Sequence, residues 1–220
     1  VQHRTSGVSF DVGVFTNLTQ DHLDYHGSLD EYFEAKVLLV AERLKKDGCA
    51  VINLDDPKVA TLQGEGVIGF SRLGHSGARI RVVEERLSLD SIDLRVLVDG
   101  RELTLSSPLV GAFNVENILA ALGAGIGLGL EAELVARGIA EVSAVPGRLE
   151  RVSQAGEPLV VVDYAHTPDA LEKALSVLRD LTDNRLICVF GCGGDRDARK
   201  RAPMGHAVGR LASVAILTND

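Results

Sequence analysis

Residues 12–36 read VGVFTNLTQDHLDYHGSLDEYFEAK, which is the pattern of a strand, a polar loop and the start of a helix. The strand is predicted over Val12–Thr16. Ser28–Glu31 has the spacing of a capping box, so a helix should begin there and run toward Lys46. A second strand is predicted at Cys49–Leu54. The order strand, helix, strand indicates a parallel α/β unit.

Lys36 falls on the apolar face of that predicted helix. Its neighbours at helical spacing are all apolar or aromatic, namely Leu29, Tyr32, Phe33, Leu39 and Val40. Because burying an ammonium ion is costly, we expect Lys36 to be held neutral, to meet a carboxylate or phosphate, or to be chemically modified.

The loop before this helix carries the run Asp21–His26, which reads DHLDYH. Its imidazoles, His22 among them, and its carboxylates could ligate a divalent cation. The alternative is a polar loop with capping aspartates. Its closeness to Lys36 in the sequence favours a site.

The composition excludes several classes of protein. The chain has 220 residues, of which 45% are hydrophobic and 25% charged, which suits one or two globular domains. Its longest apolar stretch, Ile118–Leu130, is interrupted by glycines and too short to cross a bilayer, so we expect no membrane partner. The net charge of −8 argues against a nucleic-acid partner. Cys49, Cys188 and Cys192 lack C-x-x-C spacing and fit a reducing cytoplasm.

The middle of the chain predicts a β-hairpin followed by helices. Alternating apolar residues within Arg79–Leu105 flank Asp99-Gly100, a pair typical of a type I′ turn. Helices are predicted at Val115–Ile126 and Glu131–Val142. A domain boundary is expected just after Pro146-Gly147, which gives domains over 1–147 and 148–220.

The last part of the chain predicts half of a doubly wound sheet. Its strands are expected at Leu159–Asp163, Arg185–Phe190 and Val214–Thr218. Its helices are expected from Thr167 to about Leu181, with Thr167 as N-cap, and over Pro203–Leu211. Ligands of such sheets bind beyond the carboxyl ends of the strands.

Polar residues at these places have two interpretations each. Asn114 and Asn117 lie one helical turn apart and could address the edge of an adenine, or Asn114 could only cap its helix. Asp163 and His166 could face a ligand or simply form a turn. The Gly-rich turn before Arg196 could approach an anion, with the arginine gripping a carboxylate, or the arginine could be solvated. Cys192 is interpreted as small and structural.

These residues together resemble the Mur ligase family. The matching strings, in family order, are TNLTQDHLDYHG at 16–27, EAK at 34–36, GAFNVEN at 111–117, PGR at 146–148, DYAHTPD at 163–169 and GCGGDRD at 191–197. The resemblance implies an α/β fold, with an incomplete central ATPase-like domain followed by the first half of a Rossmann-like C-terminal domain. It also implies a cytoplasmic, monomeric bacterial enzyme of peptidoglycan synthesis.

The activity that the resemblance implies is an ATP-dependent amide ligation through an acyl phosphate. The small-molecule substrates would be ATP, UDP-N-acetylmuramoyl-dipeptide and, from the GCGGDRD form, meso-diaminopimelate. The family's residues fall on Lys36, as a carbamate, and His22 for Mg²⁺ and catalysis; on Asn114, Asn117, Arg148, Asp163 and His166 for the nucleotide; on Gln2 and Arg4 for the UDP substrate; and on Arg196 and Asp220 for the diamino acid.

Two departures and two rivals accompany this resemblance. No G-x-x-x-x-G-K-[ST] phosphate loop occurs, the first residue is Val1 and the single methionine is Met204, so we interpret the chain as a fragment that is inactive alone. One rival is a related ligase of the lysine-adding, cyanophycin or folylpolyglutamate type. The other is a non-catalytic binding module of the same fold.

Overall fold

The computed structural model describes residues 7–18, 28–154, 156–192 and 198–219. These residues form two units. The first gathers the described residues up to Arg86 with Asp93–Ser107 and Phe113–Glu141; the second gathers Leu87–Ile92, Pro108–Ala112 and the described residues from Val142 onward. The expected division into 1–147 and 148–220 stays a prediction.

The first unit contains nearly all of a six-stranded sheet, whose strands run in the order β1 to β6. Its strands and helices are β1 (Phe10–Phe15), α1 (Leu29–Glu42), β2 (Leu44–Asn53), β3 (Val67–Ser71), β4 (Ile80–Leu87), β5 (Ile92–Val98), β6 (Arg101–Ser107), α2 (Phe113–Gly127) and α3 (Ala132–Glu141). The pairs β1–β2, β2–β3 and β3–β4 are parallel, so the predicted α/β class is confirmed.

Strand β2 is covered on both faces, because alternate residues of a strand point to opposite sides. Ala50 and Ile52 belong to a core cluster that includes partly buried residues of α1 such as Phe33. On the other face, Val51 and Cys49 lie against glycines of α2. Helices on both faces are typical of a parallel sheet.

Two boundaries in the first unit differ from the sequence prediction, and the predicted hairpin is confirmed. Helix α1 ends at Glu42 and β2 already begins at Leu44, so the expected helix to Lys46 is wrong. The amide of Phe10 donates to the carbonyl of Arg43 at 2.8 Å, which draws the chain into the sheet at that point. The hairpin is confirmed, since Asp99 and Gly100 have φ values of 48° and 83°, as a type I′ turn requires.

The second unit combines two helices with two small sheets. Its elements are β7 (Glu150–Arg151), β8 (Val161–Val162), α4 (Pro168–Asp180), β9 (Ile187–Phe190), α5 (Arg201–Leu211) and β10 (Val214–Leu217). Strands β9 and β10 are parallel, and β9 packs on α4 and α5 through Cys188, Leu171 and Met204. The predicted Thr167 cap is confirmed, because its hydroxyl accepts from the Ala170 amide at 3.2 Å.

The predicted first strand of this half-sheet is placed differently. Within Leu159–Asp163 only Val161–Val162 is a strand, and it pairs antiparallel with β7 rather than with β9. The backbone groups on either side are already engaged: Val152 N donates to Val160 O at 3.0 Å, and Val160 N donates to Ser153 Oγ at 3.0 Å. The three-strand parallel order predicted from the sequence is therefore wrong for the described residues.

Candidate functional site

The first turn of α2 presents two asparagine side chains as a pair. Asn114 is buried, with 4% of its surface exposed, whereas Asn117 is exposed. Nδ2 of Asn117 donates to Oδ1 of Asn114 at 3.0 Å, which fixes the orientation of the outer amide. Asn114 is not the N-cap, because α2 already begins at Phe113. Asn117 keeps an oxygen acceptor and a second N–H for a ligand.

The side chain of Lys36, on α1, lies near two aromatic rings. Its Nζ is 4.9 Å from the ring centroid of Tyr32 and 5.7 Å from that of Phe15. Helix α1 contains no fully buried residue, and Lys36 itself is half-buried, so the expected burial of this lysine is wrong in degree. Within the described ranges, no carboxylate pairs with Lys36. Cation–π attraction is the contact that the structure gives its ammonium group.

The structure contains a charged group that the sequence did not predict. It consists of Arg72, Glu85 and Glu116, and Glu116 lies in the first turn of α2. Arg72 donates to both carboxylate oxygens of Glu85, at 2.9 and 2.7 Å. Burial raises the pKa of Glu116, the half-buried carboxyl between the two asparagines, although the Arg72 charge opposes the shift and Asp55 reinforces it. Only the folded chain reveals this group, because Glu116 on α2 is far in sequence from Arg72 and Glu85.

In the second unit, Asp163 joins two turns by their backbones. Its Oδ2 accepts from the Leu149 amide at 3.0 Å and its Oδ1 from the Ala165 amide at 2.9 Å. Tyr164 N also donates to Gly147 O at 2.8 Å. Leu149 has a φ of 44°, an uncommon value for leucine, and the Asp163 contact helps to hold it there.

The joined turns place three side chains in a row: Arg148, Tyr164 and His166. The guanidinium carbon of Arg148 is 5.9 Å from the Tyr164 ring centroid, and the His166 ring meets the same ring edge-on at 5.1 Å. His166 Nδ1 is 3.0 Å from the Tyr164 carbonyl, which can only accept, so Nδ1 carries the proton and Nε2 remains available. All three side chains are exposed. Tyr164 was missed as a member of this group, although it stands between Asp163 and His166 in the sequence.

The structure thus brings Asn114 next to Asn117 in one unit, and Arg148, Asp163 and His166 together in the other. Five further predicted site residues lie outside the described residues: Gln2, Arg4, His22, Arg196 and Asp220. Within the described part of the chain, no group of three or more His, Cys, Asp or Glu residues is arranged to hold a metal ion. In that same part, no helix has the length and apolar character needed to span a membrane.

Cys192, which the sequence predicted to be small and structural, is partly buried and packs against the core cluster of its unit. Its Sγ lies 3.6 Å from the Met204 sulfur, next to the cluster that contains Leu171 and Val208. A thiol in such apolar contact is structural rather than nucleophilic.

Family models match both parts of this chain. Residues 1–125 match the Mur ligase middle domain, and residues 147–220 match the Mur ligase, glutamate ligase domain.

Curated relatives match along the whole chain. A UDP-N-acetylmuramoyl-L-alanyl-D-glutamate--2,6-diaminopimelate ligase of Geobacter metallireducens is 44% identical over 225 residues, covering 100% of this chain and 44% of that protein. The Pseudomonas aeruginosa enzyme of the same name is 45% identical, with 100% and 45% covered. The chain therefore spans about half the length of the curated relatives it matches.

Solved structures agree with these matches. A 2,6-diaminopimelate ligase superposes with a TM-score of 0.71 at 37% identity, over 99% of this chain and 45% of that one. A MurF ligase of Thermotoga maritima, solved with ADP, superposes with a TM-score of 0.71 over 96% of this chain and 53% of that one. At 19% identity, the latter likeness concerns the fold alone.

Proposed function

Because the chain belongs to the Mur ligase family, we propose that it serves the ATP-dependent ligation of meso-diaminopimelate to UDP-N-acetylmuramoyl-L-alanyl-D-glutamate in peptidoglycan synthesis. The observation that carries this proposal is the 44% identity to a diaminopimelate ligase along the whole chain. In this reaction ATP converts the substrate carboxylate to an acyl phosphate, and the incoming amine then displaces phosphate. We place the enzyme in the bacterial cytoplasm as a monomer.

Each of the two described groups of polar residues, taken by itself, offers groups that suit nucleotide binding. The outer amide of Asn117, oriented by Asn114, offers one donor and one acceptor, as an adenine edge requires. Arg148 has no ion pair within the described residues, so its N–H groups can address phosphate oxygens. His166, whose ring meets the Tyr164 ring edge-on, offers Nε2 as a further polar group.

Asp163 supports nucleotide binding through the backbone in this proposal. Both of its oxygens already accept from amides, at 3.0 and 2.9 Å, so its described contacts hold the turn that bears Arg148. Substitution by alanine should therefore misplace Arg148 as well as remove any direct contact with the ribose.

Magnesium fits only one chemical form of Lys36. The ammonium found over the two rings cannot ligate a cation, whereas a carbamate on Nζ would supply hard oxygen donors. We propose that this carbamate, together with His22, holds Mg²⁺, which would neutralise phosphate charge when bound. Gln2 and Arg4 are proposed for the UDP substrate, and Arg196 and Asp220 for the diamino acid.

The test uses a chimera in which this chain replaces the matching part of the Geobacter metallireducens relative; we call it the assembled ligase. Phosphate release should require the UDP-dipeptide and meso-diaminopimelate together, and L-lysine should not substitute. The 220-residue chain alone should release none, because its sequence contains no phosphate loop to position the γ-phosphate. Turnover with L-lysine in place of meso-diaminopimelate would refute the diaminopimelate assignment. Phosphate release by the isolated 220-residue chain would refute the interpretation that it is inactive alone.

Arg196→Ala in the assembled ligase tests the diamino-acid role separately. Loss of a charge-assisted pair costs about 1.5–3 kcal/mol, so the apparent KM for meso-diaminopimelate should rise by roughly one to two orders of magnitude. The KM values for ATP and the UDP-dipeptide are the internal controls. An unchanged KM for the diamino acid would count against the role.

A further inference from the structure

We propose that Tyr32 and Phe15 are positioning residues for Lys36, and that their rings hold its side chain at the carboxyl end of β1. The inference rests on the proposed function only for the importance of Lys36. The contact between the lysine and the rings can be tested without any ligase activity.

The two rings approach Lys36 from different elements. Tyr32 lies four residues before it on α1, so helical geometry puts their side chains on one face. Phe15 is the last residue of β1 and comes from the sheet beneath the helix. The ammonium is 4.9 and 5.7 Å from the two ring centroids, within the range of cation–π attraction.

Phe15 gives this contact a rigid base. It is 5% exposed, belongs to the core cluster with Ile52 and Leu54, and contacts the Phe33 ring at a centroid distance of 5.9 Å. Tyr32, in contrast, is only half-buried. The fixed ring thus sets the position of the lysine from below, and the helical ring restrains it along α1.

Lys58 shows what Lys36 lacks. Its Nζ is 5.5 Å from the Phe33 ring centroid, but it also pairs with the Asp30 carboxylate. Within the described residues, Lys36 has two rings and no such carboxylate. An ion pair would hold the ammonium against an anion, whereas ring faces restrain it by a weaker attraction that places no anion beside the nitrogen. This contrast argues for a positioning role at Lys36 rather than ordinary charge neutralisation.

The first measurement is made on the 220-residue chain labelled with carbon-13 lysine. Ring currents should move the ε-methylene resonances of Lys36 upfield of those of exposed Lys45 and Lys173, with Lys36→Arg giving the assignment. Tyr32→Phe keeps the ring and should keep most of the shift, whereas Tyr32→Leu should lose a large part of it. Phe33→Leu is the matched control: it should move the Lys58 resonances and leave the Tyr32 contribution at Lys36. Lys36 resonances like those of exposed lysines, or unaltered by Tyr32→Leu, would overturn the proposal.

The second measurement is made on the assembled ligase. Tyr32→Leu should lower kcat several-fold with little change in the KM for ATP, because the ring acts on Lys36 and not on the nucleotide. Tyr32→Phe should restore kcat. Equal losses in the Phe and Leu variants would assign the effect to the hydroxyl and overturn the role of the ring. If the assembled ligase that retains Tyr32 is inactive, the proposed function is contradicted. The Lys36 resonances of the 220-residue chain would still test whether the rings position the lysine.

Discussion

Helices α1 and α2 both carry predicted site residues, but they are anchored in different ways. None of the residues of α1 is fully buried, and Lys36 is held by ring faces. Helix α2 buries more than half of its length, including Asn114, and its glycines lie against neighbouring side chains. The lysine on α1 is therefore loosely packed, whereas the amide pair on α2 is firmly packed.

This difference is consistent with the two proposed tasks. An amide pair that recognises a base benefits from a fixed orientation, and Asn114 supplies it from a buried position. A lysine whose ammonium group is to become a carbamate, as proposed for Lys36, needs room for its side chain to change contacts. The predictions below test whether the two helices differ as sharply in solution.

The largest effect is expected at Lys36. In the assembled ligase, Lys36→Arg should abolish turnover almost as completely as Lys36→Ala, because arginine keeps the positive charge but cannot become a carbamate. The measurement is phosphate release under saturating substrates, together with a carbon-13 spectrum under labelled carbon dioxide. An active arginine variant, with no carbamate resonance in the parent protein, would contradict the proposal.

Leucine truncation compares the packing of the two helices directly. Leu122 of α2 is fully buried, whereas Leu38 of α1 is 41% exposed. Leu122→Ala should lower the free energy of unfolding by about 2–5 kcal/mol, and Leu38→Ala by about 1 kcal/mol or less. Urea denaturation of the 220-residue chain measures both. Similar losses for the two variants would remove the contrast between the helices.

The sequence predicted local features well because local residues determine them. The Ser28 and Thr167 caps and the Asp99-Gly100 turn are confirmed, since each depends on residues within one turn. The neighbouring positions of Arg148, Asp163 and His166 were expected only from the family strings. The structure supplies the physical reason, which is the Asp163 carboxylate joining two turns.

Long-range contacts were beyond the sequence patterns. Periodicity placed Lys36 on an apolar face but could not show that α1 is only partly covered, nor that Phe15 would reach the lysine from β1. The continuous apolar run Leu159–Asp163 predicted a buried parallel strand. Strand β8 pairs with β7 instead, whose residues lie only ten to twelve positions away along the chain.

A smaller effect is expected from the glycines of α2. A Cβ at Gly125 would lie 2.4 Å from Cγ2 of Val135 and 2.9 Å from its Cγ1. Gly125→Ala should therefore lower the free energy of unfolding by about 1–3 kcal/mol through overpacking. Gly138→Ala in α3 is the matched control: nothing lies within 4 Å of its Cβ position, so alanine should stabilise the helix by about 0.5–1 kcal/mol. Equal signs for the two variants would show that α2 can shift to make room.

The smallest effect concerns pH at the start of α2. Burial raises the pKa of Glu116 in the folded chain, so the folded state binds more protons than the unfolded state just above the ordinary pKa of 4.5. Stability from this group is full below that pKa and falls as pH rises through the folded value. Glu116→Gln should therefore gain stability relative to the parent protein on going from acid to neutral pH.

Glu85, which pairs with Arg72, should show the opposite dependence of stability on pH. Its hydrogen bonds with Arg72 lower the pKa of Glu85, so its contribution is present above the ordinary pKa and is lost as pH falls through the folded value. Glu85→Gln should then cost more stability at neutral than at acid pH. The denaturant midpoint of each variant is measured from pH 3 to pH 7, in steps of about one pH unit. With rising pH, the midpoints of the two variants should shift in opposite directions relative to the parent protein. A common direction would mean that Arg72, rather than burial, dominates the environment of Glu116, and that the start of α2 is more open than its packing indicates.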